Sequence, residues 1–172
     1  DLSLATMEVS YMKGLMDKPE EFTTLASFYM YKRNPAMSAK VLEKAITNED
    51  IDFDKTNAKL LADSWLFAKE RLKSLNVIGR SLNNDPEDAK LIKQYINIAF
   101  SAFEWDEVIR GIKKADEAGL EDDGKFALMK GIAYFEKKSI TNAKNSFIEA
   151  SNSKEYKDQG IAWLEYLEAL NG

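Results

Sequence analysis

One set of residues recurs four times along this chain, at intervals of 36, 34 and 35 residues. The first copy reads Phe22, Leu25, Ala26, Tyr29, then Ser38, Leu42, Ala45. The second reads Ala58, Leu61, Ala62, Trp65, then Ser74, Ile78, Ser81, Pro86. The third reads Ile92, Tyr95, Ile96, Ala99, then Val108, Ile112, Ala115, and the fourth Ala127, Lys130, Gly131, Tyr134, then Ala143, Phe147, Ala150. Spacings of three and four inside each cluster place these residues on one face of a helix. Each copy is therefore a pair of helices. One pair cannot cover its own apolar face, and stacking on the next pair can, so a period of this length predicts a solenoid.

Composition narrows what such a stack can do. The 172 residues suffice for one ordinary domain, and 45% hydrophobic with 31% charged residues is a globular balance. Eight Gly and three Pro leave little material for a β-rich fold. The net charge is −5 and the lysines are scattered among carboxylates, so no nucleic acid partner is expected. Pairs such as Lys113–Lys114 and Lys137–Lys138 read as solvated helix surface. The chain has no Cys and no His, which removes thiolate chemistry, the commonest general base and the commonest transition-metal ligand. No apolar run reaches the roughly 18 residues that cross a membrane, so no membrane insertion is expected of this stretch. It opens at Asp1 inside a helical pattern and shows no secretory leader, which predicts a fragment of a longer protein.

Candidate chemistry is sparse. Asp50, Asp52 and Asp54 alternate like the start of a calcium loop, but that loop needs Gly sixth and Glu twelfth, where this chain has Lys55 and Leu61. Glu20–Glu21 and Asp122–Asp123 fall at helix starts, where carboxylates favour the helix dipole. No phosphate-binding, dinucleotide-binding or nucleophile-elbow glycine motif is present. No enzyme activity and no cofactor are expected.

The pattern predicts helices over residues 3–16, from Pro19 to about Arg33, and over 35–47, 55–69, 71–82, 87–102, 105–118, 125–137, 140–151 and 155–170. Asn34 and Asp85 are expected to cap the helices that follow them, and Gly119 to end one in the left-handed conformation. The expected organisation is a single solenoid domain over 1–172: a flanking helix, repeats at approximately 19–54, 55–88, 89–123 and 124–154, and a final covering helix. Small residues are expected where paired helices approach: Ala26 with Ser38, Ala62 with Ser74, Gly131 with Ala143. The third copy has Ile96 and Val108 there, which predicts a wider separation.

The anchors resemble the 34-residue tetratricopeptide repeat, with its aromatic, Leu, Gly/Ala, Tyr, Ala, Phe, Ala, Pro order. That resemblance implies an all-α fold, a right-handed α-α superhelix whose concave groove holds a protein partner. Positions 2, 5, 9, 12 and 13 of each first helix would line the groove. They give Thr23, Ser27, Met30 and Tyr31; Lys59, Asp63, Leu66 and Phe67; Lys93, Asn97, Phe100 and Ser101; and Leu128, Ile132, Phe135 and Glu136. The alternative is that the apolar residues at positions 12 and 13 tuck under a neighbouring helix as core. Lys93 and Asn97 match part of a clamp that some tetratricopeptide relatives use for a carboxylate terminus.

Longer stretches resemble one narrower family, the periplasmic tetratricopeptide proteins encoded beside bacterial ExbB–ExbD–TonB energy-transduction genes. They are Leu25–Ala26 followed by Tyr29-Met-Tyr-Lys-Arg-Asn-Pro-Ala-Met and Ala39-Lys-Val-Leu-Glu-Lys, then Asn57-Ala-Lys-Leu-Leu-Ala-Asp-Ser-Trp-Leu. Ala118–Gly119–Leu120, Gly131-Ile-Ala-Tyr-Phe and Ala162-Trp-Leu-Glu-Tyr-Leu-Glu complete the set. The resemblance implies a periplasmic scaffold that assists TonB-dependent uptake of iron carriers by binding a TonB, ExbB or ExbD component. A general adaptor or assembly chaperone, cytoplasmic or in the envelope, is the alternative.

Overall fold

A computed structural model describes residues 2–122 and 124–171. Among them there are ten helices and no strand. They fall into two compact units, divided between Asn84 and Asp85. The first holds α1 (Leu2–Met12), α2 (Pro19–Tyr31), α3 (Pro35–Thr47), α4 (Lys55–Phe67) and α5 (Arg71–Asn84). The second holds α6 (Ala89–Ser101), α7 (Trp105–Glu117), α8 (Lys125–Glu136), α9 (Ile140–Ser151) and α10 (Lys157–Asn171). In each unit every helix packs on the one before it in the chain. Repeats one and two lie in the first unit, three and four in the second, and the fold is a helical solenoid of the tetratricopeptide type.

The anchors form the core. Leu25, Ala26, Leu42, Ala45, Leu61, Trp65, Ile78, Ile92, Ile96, Ile112, Ala143 and Phe147 are all buried. Each large one withdrawn from water contributes roughly 1.5–3 kcal/mol. The small positions are where helices touch. In the second repeat the Ser74 hydroxyl donates to the Ala62 carbonyl at 2.9 Å, joining α5 to α4. Ser38 works differently: its Oγ lies 2.9 Å from the Oγ of Ser64, on the next repeat. Ser64 donates its own proton to the Leu60 carbonyl at 2.7 Å, so Ser38 is the donor in that pair. In the fourth repeat a Cβ on Gly131 would sit 2.4 Å from Phe147 Cε1.

The third repeat supplies its small residue elsewhere. Ile96 and Val108 are both fully buried, and Gly111 provides the gap: a Cβ there would lie 2.7 Å from Ile96 Cγ1 and 3.0 Å from Tyr95 Cδ1. The Tyr95 hydroxyl donates to Glu107, which also pairs with Arg110 at 3.0 Å. Burial, then that bond to Glu107, raises the Tyr95 pKa.

The turns repeat as regularly as the helices. Arg33, Lys69, Phe103 and Lys138 all have φ near +60° and follow one another at 36, 34 and 35 residues. At each, the N–H reaches the carbonyl three residues back, and the next N–H reaches the carbonyl five back: Arg33 to Met30 at 3.0 Å and Asn34 to Tyr29 at 2.8 Å, for instance. That is the Schellman arrangement, which satisfies the last carbonyls of the first helix and turns the chain into the second. Gly119 makes the same pair of bonds, to Asp116 and from Leu120 to Ala115, as expected.

Several boundaries differ from the sequence reading. The first helix ends at Met12 rather than near 16, because Gly14 takes φ +66° and Leu15 N–H returns to Ser10. α6 begins at Ala89 rather than 87, and its cap is Asp88, whose Oδ1 accepts from Lys90 and Leu91 N–H at 3.0 Å. Asp85 instead opens a turn closed by Asp88 N–H, with Pro86 fixing its second position. The last helix starts at Lys157, after Ser153 Oγ accepts the Tyr156 N–H at 3.0 Å. Asn34 caps α3 as expected. Glu21 accepts the Asp17 and Lys18 amides, both at 3.1 Å, so its carboxylate serves the helix start. Asp54 caps α4 by accepting from Asn57 N–H at 2.8 Å, and Ile51 anchors the acidic loop by burying its side chain. Asp123, read with Asp122 as a carboxylate at a helix start, lies outside the described residues.

The last helix sits unusually close to its neighbour. A Cβ on Gly160 would meet Ser151 N at 2.5 Å and Phe147 O at 2.9 Å, both backbone atoms. Gly14 has open space at its Cβ and only its positive φ to lose. Gly160→Ala should therefore destabilise by about 1–3 kcal/mol, through overpacking, and Gly14→Ala by about 1 kcal/mol, through backbone strain. Urea unfolding of both variants checks the order, which reverses if the α9–α10 approach is looser than described.

Candidate functional site

The surface positions of the first helices follow one rule. At position 13, Tyr31, Phe67, Ser101 and Glu136 are all exposed; at position 12, Met30, Leu66, Phe100 and Phe135 are all half-buried. None of the sixteen groove candidates is buried. A helix in a stack has two inward faces, toward its partner and toward the neighbouring pair. The third face carries these positions, and at position 13 it meets water in all four repeats.

In the first unit, α2 and α4 bring together the most apolar part of this surface. Tyr31 is 79% exposed and Phe67 69% exposed. Phe67, Met30, Arg33 and Pro35 line an open groove of about 360 Å³. Arg33 and Pro35 did not stand out in the sequence, yet Arg33 shares the period of the anchors. The polar candidates on these helices are already engaged. Thr23 Oγ1 donates to the Glu20 carbonyl at 3.2 Å, and Ser27 Oγ to the Thr23 carbonyl at 2.8 Å. Lys59 and Asp63 pair with each other at 2.6 Å. Nearby, the Tyr29 hydroxyl is pushed up to about 12 by burial and a hydrogen bond with Glu8.

In the second unit the candidates divide. On α6, Lys93 and Asn97 are exposed, and Asn97 Oδ1 accepts from Lys125 Nζ on α8 at 3.0 Å. Burial raises the pKa of Asp122, against the opposing pull of backbone amides at Phe126 and Gly124 and of Lys125 and Lys93. Phe100 meets Trp105 edge-on, with ring centroids 5.7 Å apart, and Trp105 also meets Phe103 at 5.6 Å. Phe103 is 72% exposed on a left-handed backbone and was not among the candidates. On α8, Leu128, Ile132 and Phe135 pack against the cluster around Ala143, Phe147 and Leu167. Phe135 lies 5.2 Å from Trp163 and 5.8 Å from Tyr166, both on α10. The final helix thus covers part of what an open groove would present. The ring of Trp163 stacks on Phe147 at 5.0 Å, which explains why the closing Trp-Leu-Glu-Tyr run is there.

Among the described residues no group of three or more carboxylates could hold a metal ion, and no helix is long and apolar enough to cross a membrane. The arrangement offers apolar and charged surface for binding.

No family model matches the chain, and no curated protein matches its sequence. Solved structures do. A crystal structure of MamA is 17% identical, with a TM-score of 0.55 over 85% of this chain and 83% of that one. A second, titled as the crystal structure of MamA protein, is 18% identical, with a TM-score of 0.58 over 91% of this chain and 83% of that one. Likeness at this level of identity carries the fold.

The two aromatic sites differ in what truncation should do. Phe67→Ala removes a side chain that is mostly in water and should change unfolding free energy by less than about 0.5 kcal/mol. Phe135→Ala strips a ring from the α8–α10 contact and should cost about 1–3 kcal/mol. Equal costs, measured by chemical denaturation, would mean that Phe67 is core as well.

Proposed function

We propose that this chain is a protein-binding scaffold, and that the exposed face of its first helices is the binding surface. The observation that carries this reading is Tyr31 and Phe67, two large aromatic rings left in water at the ends of α2 and α4, with Phe67 lining an open groove, by a fold that buries its other first-unit rings far better. Exposed apolar surface of this kind marks interaction sites. Aromatic side chains supply much of the energy at such sites for little loss of conformational freedom. The solenoid fold supports the same reading, because stacked repeats present extended surfaces rather than enclosed pockets. No catalytic role is assigned to any residue.

The finer proposal is that the partner is a TonB, ExbB or ExbD component and that the protein works in the periplasm in iron-carrier uptake. Its support is the run of sequence resemblance from Leu25 to the closing Ala162-Trp-Leu-Glu-Tyr-Leu-Glu segment. The immobilised chain should retain one purified component of that complex. Phe67→Asp should weaken retention at least about tenfold, the size of effect a central aromatic anchor carries, without altering helix content. Retention of none of the three overturns the TonB assignment. Retention that is indifferent to both Phe67→Asp and Tyr31→Ala places binding on another surface.

A further inference from the structure

The chain as a whole is acidic, yet one edge of its first unit is basic. The α2–α3 turn carries Lys32 and Arg33, and the α4–α5 turn carries Lys69 and Arg71, with Glu70 between them. Two carboxylates on this side are engaged locally: Asp63 by Lys59 at 2.6 Å, and Glu70 by Lys73 at 3.8 Å. Among the described residues no carboxylate pairs with Arg33, Lys69 or Arg71. Lys32 reaches over the Tyr31 ring at 5.6 Å. The turn after α3 has the opposite sign, with Glu49, Asp50, Asp52 and Asp54.

Two of these cations stand where glycine would be easier. Arg33 has φ 58° and Lys69 φ 63°. Glycine takes this conformation without a steric cost, so either residue can be replaced by Gly with the turn kept. Arg33 also lines the apolar groove with Met30, Pro35 and Phe67. At about 360 Å³ the groove has room for one or two large side chains. Met30 adds an adaptable wall.

We propose that this groove takes an acidic peptide segment of a partner protein, with one large apolar side chain seated between Met30, Pro35 and Phe67 and flanking carboxylates facing Arg33 and Lys69. This rests on the reading of the chain as a protein-binding scaffold and names the chemistry of what it binds. Charge complementarity selects the segment: an acidic peptide is repelled by most of the surface and attracted to this edge. A polynucleotide has phosphates enough but needs a longer basic track than one edge of two turns provides.

The test is a backbone amide NMR titration of the whole chain with three blocked peptides, EDFDE, EDSDE and KKFKK. EDFDE should shift resonances around Met30, Arg33 and Phe67, and added salt should weaken the effect. EDSDE and KKFKK should bind at least about tenfold more weakly. Arg33→Gly with Lys69→Gly keeps the turn geometry, so the melting temperature should not fall, while EDFDE affinity drops by a similar factor. Shifts that lie elsewhere, no shifts, equal binding of KKFKK, or full affinity in the double glycine variant each overturn the assignment. If a protein partner is captured through Phe67 while EDFDE leaves this edge unperturbed, the scaffold reading stands and this one falls. If EDFDE binds here and no TonB-complex component is captured, this assignment stands and only the TonB assignment falls.

Discussion

Close contact between paired helices at one small side chain governs this structure. Where Ser74 meets Ala62 the contact is a hydrogen bond of 2.9 Å, and where Gly131 meets Phe147 a methyl group would not fit. Such approach needs a small residue at the contact of every helix pair, and repeating that need gives the chain its period. The turn between the helices is then short, and the backbone must reverse within it. Arg33, Lys69, Phe103 and Lys138 do so in the left-handed region, each with the same pair of bonds to the end of the preceding helix. Once two faces of each first helix are committed to packing, the third is left for water. Tyr31 and Phe67 lie there because the packing has no use for them.

The third repeat shows that the constraint is spatial and not positional. Ile96 and Val108 break the sequence rule, and Gly111, three residues further on, restores the gap. The same holds at the end of the second unit. Gly160 lets α10 approach the backbone of α9, and Trp163 then covers Phe147. A helix that packs this closely protects the last pair as another repeat would, and Phe135 becomes part of its seat.

Much of this was legible in the residues because periodicity is a local signal. Helix number, most helix bounds and the anchors at Leu25, Trp65 and Phe147 follow from spacings of three, four and about 35. What was not legible depends on competition between neighbours. Asp85 and Asp88 are equally good caps in sequence, and Pro86 decides between them by fixing a turn. Gly14 fits a helical stripe, and its freedom to take positive φ ends the helix instead. The candidate surface was legible as a set of positions and not as a set of environments. Met30 and Phe135 occupy the same repeat position, yet the groove at Met30 is walled by Arg33, Pro35 and Phe67 and the one at Phe135 by Trp163 and Tyr166 of α10, because the fourth repeat is followed by a covering helix. Arg33 was missed because its neighbours, not its own character, put it beside that groove.

The account stands on the claim that position 13 of the first unit's leading helices is surface while the anchors two residues earlier, Tyr29 and Trp65, are core. Hydroxyl-radical footprinting of the free protein reads this side chain by side chain. Tyr31 and Phe67 should be modified readily, and Tyr29, Trp65 and Phe147 should be protected, with Phe135 between the two groups. Protection of Tyr31 and Phe67 at the level of Trp65 in the free, folded chain would contradict it, since those rings would then belong to the core and leave no surface for a partner.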